Sequence, residues 1–189
     1  MAILALTPAI YADVVVLEPN PADLYDLAHQ KYYTWGMDFG SNAGLLRFSR
    51  AVLKFDDIRN WKKEPNVLYV HLLDWVPKGV RVHTDSQGGG DNFAGQGVEL
   101  VTYHNLGTRP RDLKYVFDAF ELSKLNEFIQ NDGRVGLGFD PDCHFWNDGV
   151  SLKLYYQVIP EPACITLLIM GAGMLLLKRL RNRGAALGR

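Results

Sequence analysis

The sequence predicts an all-β fold: an antiparallel, jelly-roll-like β-sandwich with one short helix, followed by a C-terminal transmembrane helix. Three observations predict it. Seven or eight runs of strand length alternate apolar and polar residues between Gly, Pro, Asn and Asp clusters. Helical periodicity appears once in the body, so no alternating βαβ units are expected. An unbroken apolar run near the end is followed directly by Lys178, Arg179, Arg181 and Arg183.

Residues 1–12 are apolar and end in Ile10-Tyr11-Ala12, with a small residue where a signal peptidase would cut. They read as part of a secretory signal peptide whose basic region is missing, since the first basic residue is Lys31. The alternative is a first strand running into Val14-Val15-Val16-Leu17. A breaker cluster, Glu18 to Pro21, precedes a short helical turn within Asp23 to His29. Lys31 to Phe39 is rich in β-favouring residues, with Gly36 marking a bulge or a close approach. Gly40 to Gly44 is a turn. Leu45 to Ile58 alternates with a change of phase near Arg50. Asn60 to Pro65 is a loop, and Val67 to Trp75 is an apolar run suited to the middle of a sheet. Val76 to Gly97 holds Pro77 and six glycines and reads largely as a long exposed loop, a kind of segment that often carries function. Gly97 to His104 and Asp112 to Asp118 alternate as strands. Leu122, Leu125, Phe128 and Ile129 share one helical face, which Asn131-Asp132-Gly133 ends. Arg134 to Phe139 and Gly149 to Val158 are the last strands. The predicted domains are a partial signal peptide over 1–12, the sandwich over 13–158 and a sorting signal with its membrane helix over 159–189.

Charge is unevenly spread. Residues 13–162 hold 15 Lys and Arg against 21 Asp and Glu, a net −6, whereas residues 163–189 hold five basic residues and no acid. An acidic body lacks the basic footprint that nucleic acid needs. It suits cations. Of the two cysteines, Cys164 lies in the apolar run, which leaves Cys143 a lone thiol in the body.

The tail has three parts: Pro160-Glu161-Pro162, the apolar run Ala163 to Leu177, and the basic cluster. As helix the run spans roughly 22 Å, short for a bilayer core unless its neighbours snorkel. The basic cluster favours a cytoplasmic end, with the body outside. This order resembles the PEP-CTERM sorting signal of Gram-negative bacteria. The resemblance covers about 25 residues. It implies processing by an exosortase-type enzyme at Pro160, Glu161 and Pro162. It also implies residence in the inner membrane as a precursor and delivery to the cell surface or extracellular matrix. A plain C-terminal anchor is the alternative. The body, through Tyr33 to Gly36, Leu72 to Asp74, Asp91 to Phe93 and Asp140 to Gly149, resembles exported sandwiches that carry such tails. Similar sandwiches include calcium-containing carbohydrate-binding modules.

The densest polar constellation is Asp140, Asp142, His144, Asn147 and Asp148, packed into nine positions. Hard oxygen ligands at this density suit Ca²⁺, with Asp140, Asp142 and Asp148 as the metal set. The competing reading is a turn whose Asp and Asn side chains bond local N–H groups. Cys143 and His144 alone fall short of a closed zinc set. Trp35, Trp61, Trp75 and Trp146 are the candidate platforms for a polysaccharide, with Trp61, in a polar loop, the best of them and Trp146 beside the acidic turn; for any one of them burial in the core is the competing reading. Catalytic signatures are missing: Ser41 is one place off a nucleophile elbow, Gly88-Gly89-Gly90 lacks the Lys of a phosphate loop, and the histidines are scattered. The sequence therefore points to a non-enzymatic structural or glycan-binding protein. The alternative is a secreted polysaccharide hydrolase using Asp74 and Asp85 as paired carboxylates.

Overall fold

Alternation of apolar and polar residues becomes strand wherever one face can be buried, and the computed structural model has ten strands among the described residues, which are 13–87, 89–159 and 172–173. In chain order they are β1 (Asp13–Leu17), β2 (Lys31–Asp38), β3 (Leu46–Asn60), β4 (Val67–Leu73), β5 (Gly79–Thr84), β6 (Val98–His104), β7 (Arg111–Val116), β8 (Arg134–Pro141), β9 (Phe145–Trp146) and β10 (Gly149–Val158). One α-helix, α1 (Ala119–Asp132), lies between β7 and β8. Gly40–Leu45 is a 3₁₀ turn where a turn was expected, whereas Leu24–Leu27, where a short helical turn was expected, turns with positive φ at all four residues. The chain divides into two compact units, Met1–Gln157 and Val158–Arg189, and both sheets lie in the first apart from the last residue of β10.

The strands form two five-stranded sheets. The first has the order β1-β10-β3-β7, with β9 also paired to β3; the second is β5-β2-β8-β4-β6. Every pair with a described register between these strands is antiparallel. The sheets face each other across a core in which Phe55 of β3 meets Phe139 of β8 edge to face, centroids 5.9 Å apart. Such pairs add to the burial of their own area.

The change of phase foreseen in β3 is present. Phe48 and Ala51 are buried, while Ser49 and Arg50 between them are both exposed. A second irregularity follows at Asp56 and Asp57, where the register against β7 shifts and Asp57 takes φ 48°. α1 buries Leu125, Phe128 and Ile129. A capping box starts it: Glu121 N–H donates to Asp118 Oδ1 (2.8 Å) and Asp118 N–H donates to Glu121 Oε2 (2.7 Å). Gly133 ends it in the left-handed region.

The segment from Val76 to Gly97 is not the open loop that its glycines suggested. Gly79–Thr84 is β5, an edge strand on β2 whose exposure removes the alternating signal. Val76, Pro77 and Phe93 pack on the outer face of the second sheet. Gly138 of β8 lies under the Phe93 ring, and a Cβ there would sit 2.8 Å from it. At Gly36 a Cβ would run into the Pro77 carbonyl, so the close approach is the correct reading of that glycine. Leu73, Val76 and Phe93, with Tyr32, form a second small core in this covering layer.

Asp13–Leu17 is a strand paired with β10, which agrees with either reading of the residues before it. The signal peptide over 1–12, the motif Pro160, Glu161 and Pro162, and the membrane run 163–177 lie outside the described residues, apart from 172–173. Among the described residues no helix is long and apolar enough to cross a membrane.

Asp118→Ala is expected to cost about 1 kcal/mol through loss of the cap. Phe93→Ala should cost about 3 kcal/mol and open the covering layer to limited proteolysis. Urea unfolding and protease cleavage measure the two effects.

Candidate functional site

The two tryptophans singled out in the sequence are brought together by the pairing of β3 with β9. Arg59 lies opposite Trp146 and Asn60 opposite Phe145. Alternation then sends Phe145 into the core and leaves Trp146 outside. Trp61 follows directly, and its backbone N–H donates to the His144 carbonyl (3.1 Å). His144 stands between the two indoles, 6.2 Å from Trp61 and 6.0 Å from Trp146, edge-on to both. Trp61 is 47% and Trp146 40% exposed, so the three rings form a continuous solvent-facing strip. Lys62 Nζ lies 4.6 Å from the Trp61 ring centre, and Arg59 Cζ lies 5.4 Å from that of Trp146. Glu64 accepts the Trp61 indole N–H (2.8 Å) and fixes the ring.

Beside Trp146 a polar cleft of about 800 Å³ is lined by Asp23, Asp26, Arg59, Asn147 and Asp148. Asn147 is buried; its amide donates to the Asp23 carbonyl (2.8 Å), while its Oδ1 has no protein partner. Exposed aromatic rings, edge-on to one another, thus lie beside carboxylate and guanidinium groups on one surface. By contrast, Trp35 is buried in the core, and Trp75 is exposed under Arg134, away from the strip.

The predicted metal set is not assembled. Asp140 is fully buried at the end of β8. Its Oδ2 accepts from the Asn92 N–H (2.6 Å) and the Asn92 side-chain amide (3.0 Å), and its Oδ1 has no protein partner. Burial pushes its pKa up to about 6, against the two Asn92 bonds, and the charges of Asp85 and Asp142 add to the rise. Asp142 is raised mainly by burial, against a hydrogen bond from the Gly90 backbone. Asp148 is exposed elsewhere, its N–H donating to the Asp56 carbonyl (2.8 Å). The reason is topological. β8 belongs to the second sheet and β10 to the first, so the connection crosses between sheets and its two ends face different layers. Asp85, from the covering segment, stands near Asp140 and Asp142 where Asp148 was expected.

Asp74 and Asp85 do not form a facing pair. Asp74 follows β4 beyond the Leu73–Gly136 position and feels Asp132 and Glu127. Asp85 donates its N–H to the Gln30 carbonyl at the other end of β2. At ~3.3 Å per residue the two are roughly 20 Å apart, beyond glycosidase spacing. Three exposed carboxylates, Asp56, Asp57 and Asp112, also cluster, but Lys54 ion-pairs two of them at 3.0 and 3.1 Å. The Cys143 thiol is half-buried, donates to the Pro65 carbonyl (3.4 Å) and has its pKa raised by burial and by Glu64.

No protein-family model and no curated protein matches the chain. Among solved structures, a latent aurone synthase (polyphenol oxidase) from natural source is similar at 8% identity and TM-score 0.38, over 67% of this chain and 24% of that one. The recombinantly expressed latent enzyme is similar at 10% identity and TM-score 0.38, over 72% of this chain and 26% of that one. The CBM22-1 and GH10 modules of an endo-1,4-beta-D-xylanase from Clostridium thermocellum, complexed with xylohexaose, align at 10% identity and TM-score 0.23, over 79% of this chain and 25% of that one. The chain thus spans about a quarter of the length of each. At these TM-scores the likenesses carry no functional argument.

Folded Asp140 holds its proton up to about pH 6, whereas unfolded Asp releases it near 3.8, so its contribution to stability is lost as pH rises through that window. Asp140→Asn is expected to raise the thermal midpoint at pH 7 and to leave it nearly unchanged below the unfolded pKa. Melting curves at the two pH values check this.

Proposed function

We propose that this protein is an exported, non-enzymatic glycan-binding β-sandwich that acts at the cell surface or in the extracellular matrix. The observation that carries the reading is the exposed strip Trp61–His144–Trp146 beside a cleft of hydrogen-bonding side chains. Stacking on indole gives affinity for the ring faces of a polysaccharide, and the polar cleft gives orientation. The spacing of the rings along one surface suits an extended chain better than a single enclosed sugar. With β5 and β9 set aside, the remaining eight strands renumber as 1-8-3-6 and 2-7-4-5. That is the order of a jelly roll and supports the jelly-roll-like reading.

Export rests on the tail sequence. Pro160-Glu161-Pro162, the apolar run and the basic cluster are the features an exosortase-type enzyme would act on, with the body released on the outer side.

Trp61→Ala and Trp146→Ala are each expected to weaken retention in gels containing bacterial exopolysaccharide by about two- to tenfold, from roughly 0.5–1.5 kcal/mol per lost aromatic contact, with circular dichroism unchanged. Retention equal to that of the native chain would remove the strip as the binding face. For export, changing Pro160, Glu161 and Pro162 to alanine should leave an unprocessed, membrane-retained precursor in the native host. Normal maturation of that variant would count against the sorting signal.

A further inference from the structure

We propose that His71, Asp91 and Glu99 form a divalent metal site, of the class that takes Zn²⁺, which fastens the glycine-rich covering segment to the second sheet. One ligand atom from each of the three residues lies within 4.8 Å of the others. The residues come from three places: His71 from β4, Glu99 from β6 and Asp91 from the covering segment. A bulge in the β4–β6 ladder between Val70 and His71 sets His71 opposite Glu99, and bulges serve to re-aim side chains in this way.

Each ligand is held by its other polar atom. His71 Nδ1 faces the Gln96 carbonyl oxygen at 3.3 Å. Asp91 Oδ1 accepts the Phe93 N–H at 2.8 Å. Glu99 Oε1 accepts the Thr102 hydroxyl at 2.6 Å. The atoms left over, His71 Nε2 and Asp91 Oδ2, stand 2.9 Å apart, and Glu99 lies beside them. Partners of this kind fix the tautomer and orientation of metal ligands.

The buried imidazole supplies the independent observation. His71 is only 3% exposed and has an acceptor at both ring nitrogens, the Gln96 carbonyl and the Asp91 carboxylate. A neutral imidazole has one N–H and one lone pair, so it satisfies one acceptor and turns its lone pair on the other. With the proton on Nε2 the ring donates to Asp91 (2.9 Å) and its Nδ1 lone pair meets the Gln96 carbonyl (3.3 Å); with the proton on Nδ1 it donates to Gln96, the Nε2 lone pair meets the carboxylate, and a cation taken up between them removes that repulsion. One imidazole nitrogen with two carboxylates suits Zn²⁺ rather than Ca²⁺, which prefers an all-oxygen shell. Three protein ligands leave a further position for water. Neither the aromatic strip nor the sorting tail enters this inference.

The test uses the full chain after chelator treatment, with Zn²⁺ alone as the probe in calorimetric titration at pH 7.5 and Ca²⁺ as the control ion. One tight Zn²⁺ site per chain is expected, unaffected by Ca²⁺. Glu99→Gln, an exposed change, should weaken it by about tenfold or more with no change in the metal-free thermal midpoint. Asp91→Asn should do the same, and Zn²⁺ should protect the covering segment from protease in the native chain but not in either variant. Absence of Zn²⁺ binding, or equal binding by the native chain and Glu99→Gln, would overturn the proposal and leave a direct hydrogen bond between His71 and Asp91.

Discussion

A strand of 15 residues keeps one face in the core only if its phase is corrected along its length, and β3 is that strand. It pairs with β10, β7 and β9, and its Phe55 lies at the centre of the contact between the sheets. A slip of one residue would turn Phe55 and Ile58 out to solvent. Two irregularities absorb the mismatch, one at Ser49–Arg50 and one at Asp56–Asp57. Both spend exposed polar residues to keep Ala51, Leu53, Phe55 and Ile58 inside. The same phase fixes the far end of β3, where Arg59 and Asn60 receive β9 and place Trp61 beside His144. The aromatic strip is therefore a consequence of the register of the core strand.

The second sheet meets a different demand. Its outer face lacks side chains at Gly36, Gly136 and Gly138, and the segment from Val76 to Gly97 lies against it. Closing that face buries Phe93 and Val76, which favours the fold. It also buries carboxylates. Asp140 is fully enclosed with only Asn92 as a partner, and Asp142 keeps one oxygen without a protein partner. Polar groups of this kind oppose folding unless they hold a proton or meet a cation. The raised pKa values of Asp140 and Asp142 make the stability of the covering layer depend on pH.

The two faces divide the chemistry. The end of the first sheet offers exposed aromatic rings and a cleft open to solvent. The outer face of the second sheet gathers the carboxylates of Asp85, Asp91, Asp140 and Asp142 under the covering segment. Asp74 and Asp85 stand at opposite ends of that sheet and do not face each other.

Most strand positions, the single helix with its Gly133 stop and the phase change in β3 were legible in the sequence, because each is written in local periodicity or in turn residues. β5 was not legible. It is an exposed edge strand framed by Pro77 and Gly79, and exposure erases the alternation that marks strands. β9, with two residues, is too short to carry a pattern. The acidic set was misassigned because closeness in sequence is not closeness in space: Asp148 lies six residues from Asp142 but across the crossover between sheets. The local sequence thus determined which residues form strands and which turn. Only the tertiary structure decided which side chains share a face, because strand pairing joins positions far apart in the chain, as with His71 and Glu99 or Trp61 and Trp146.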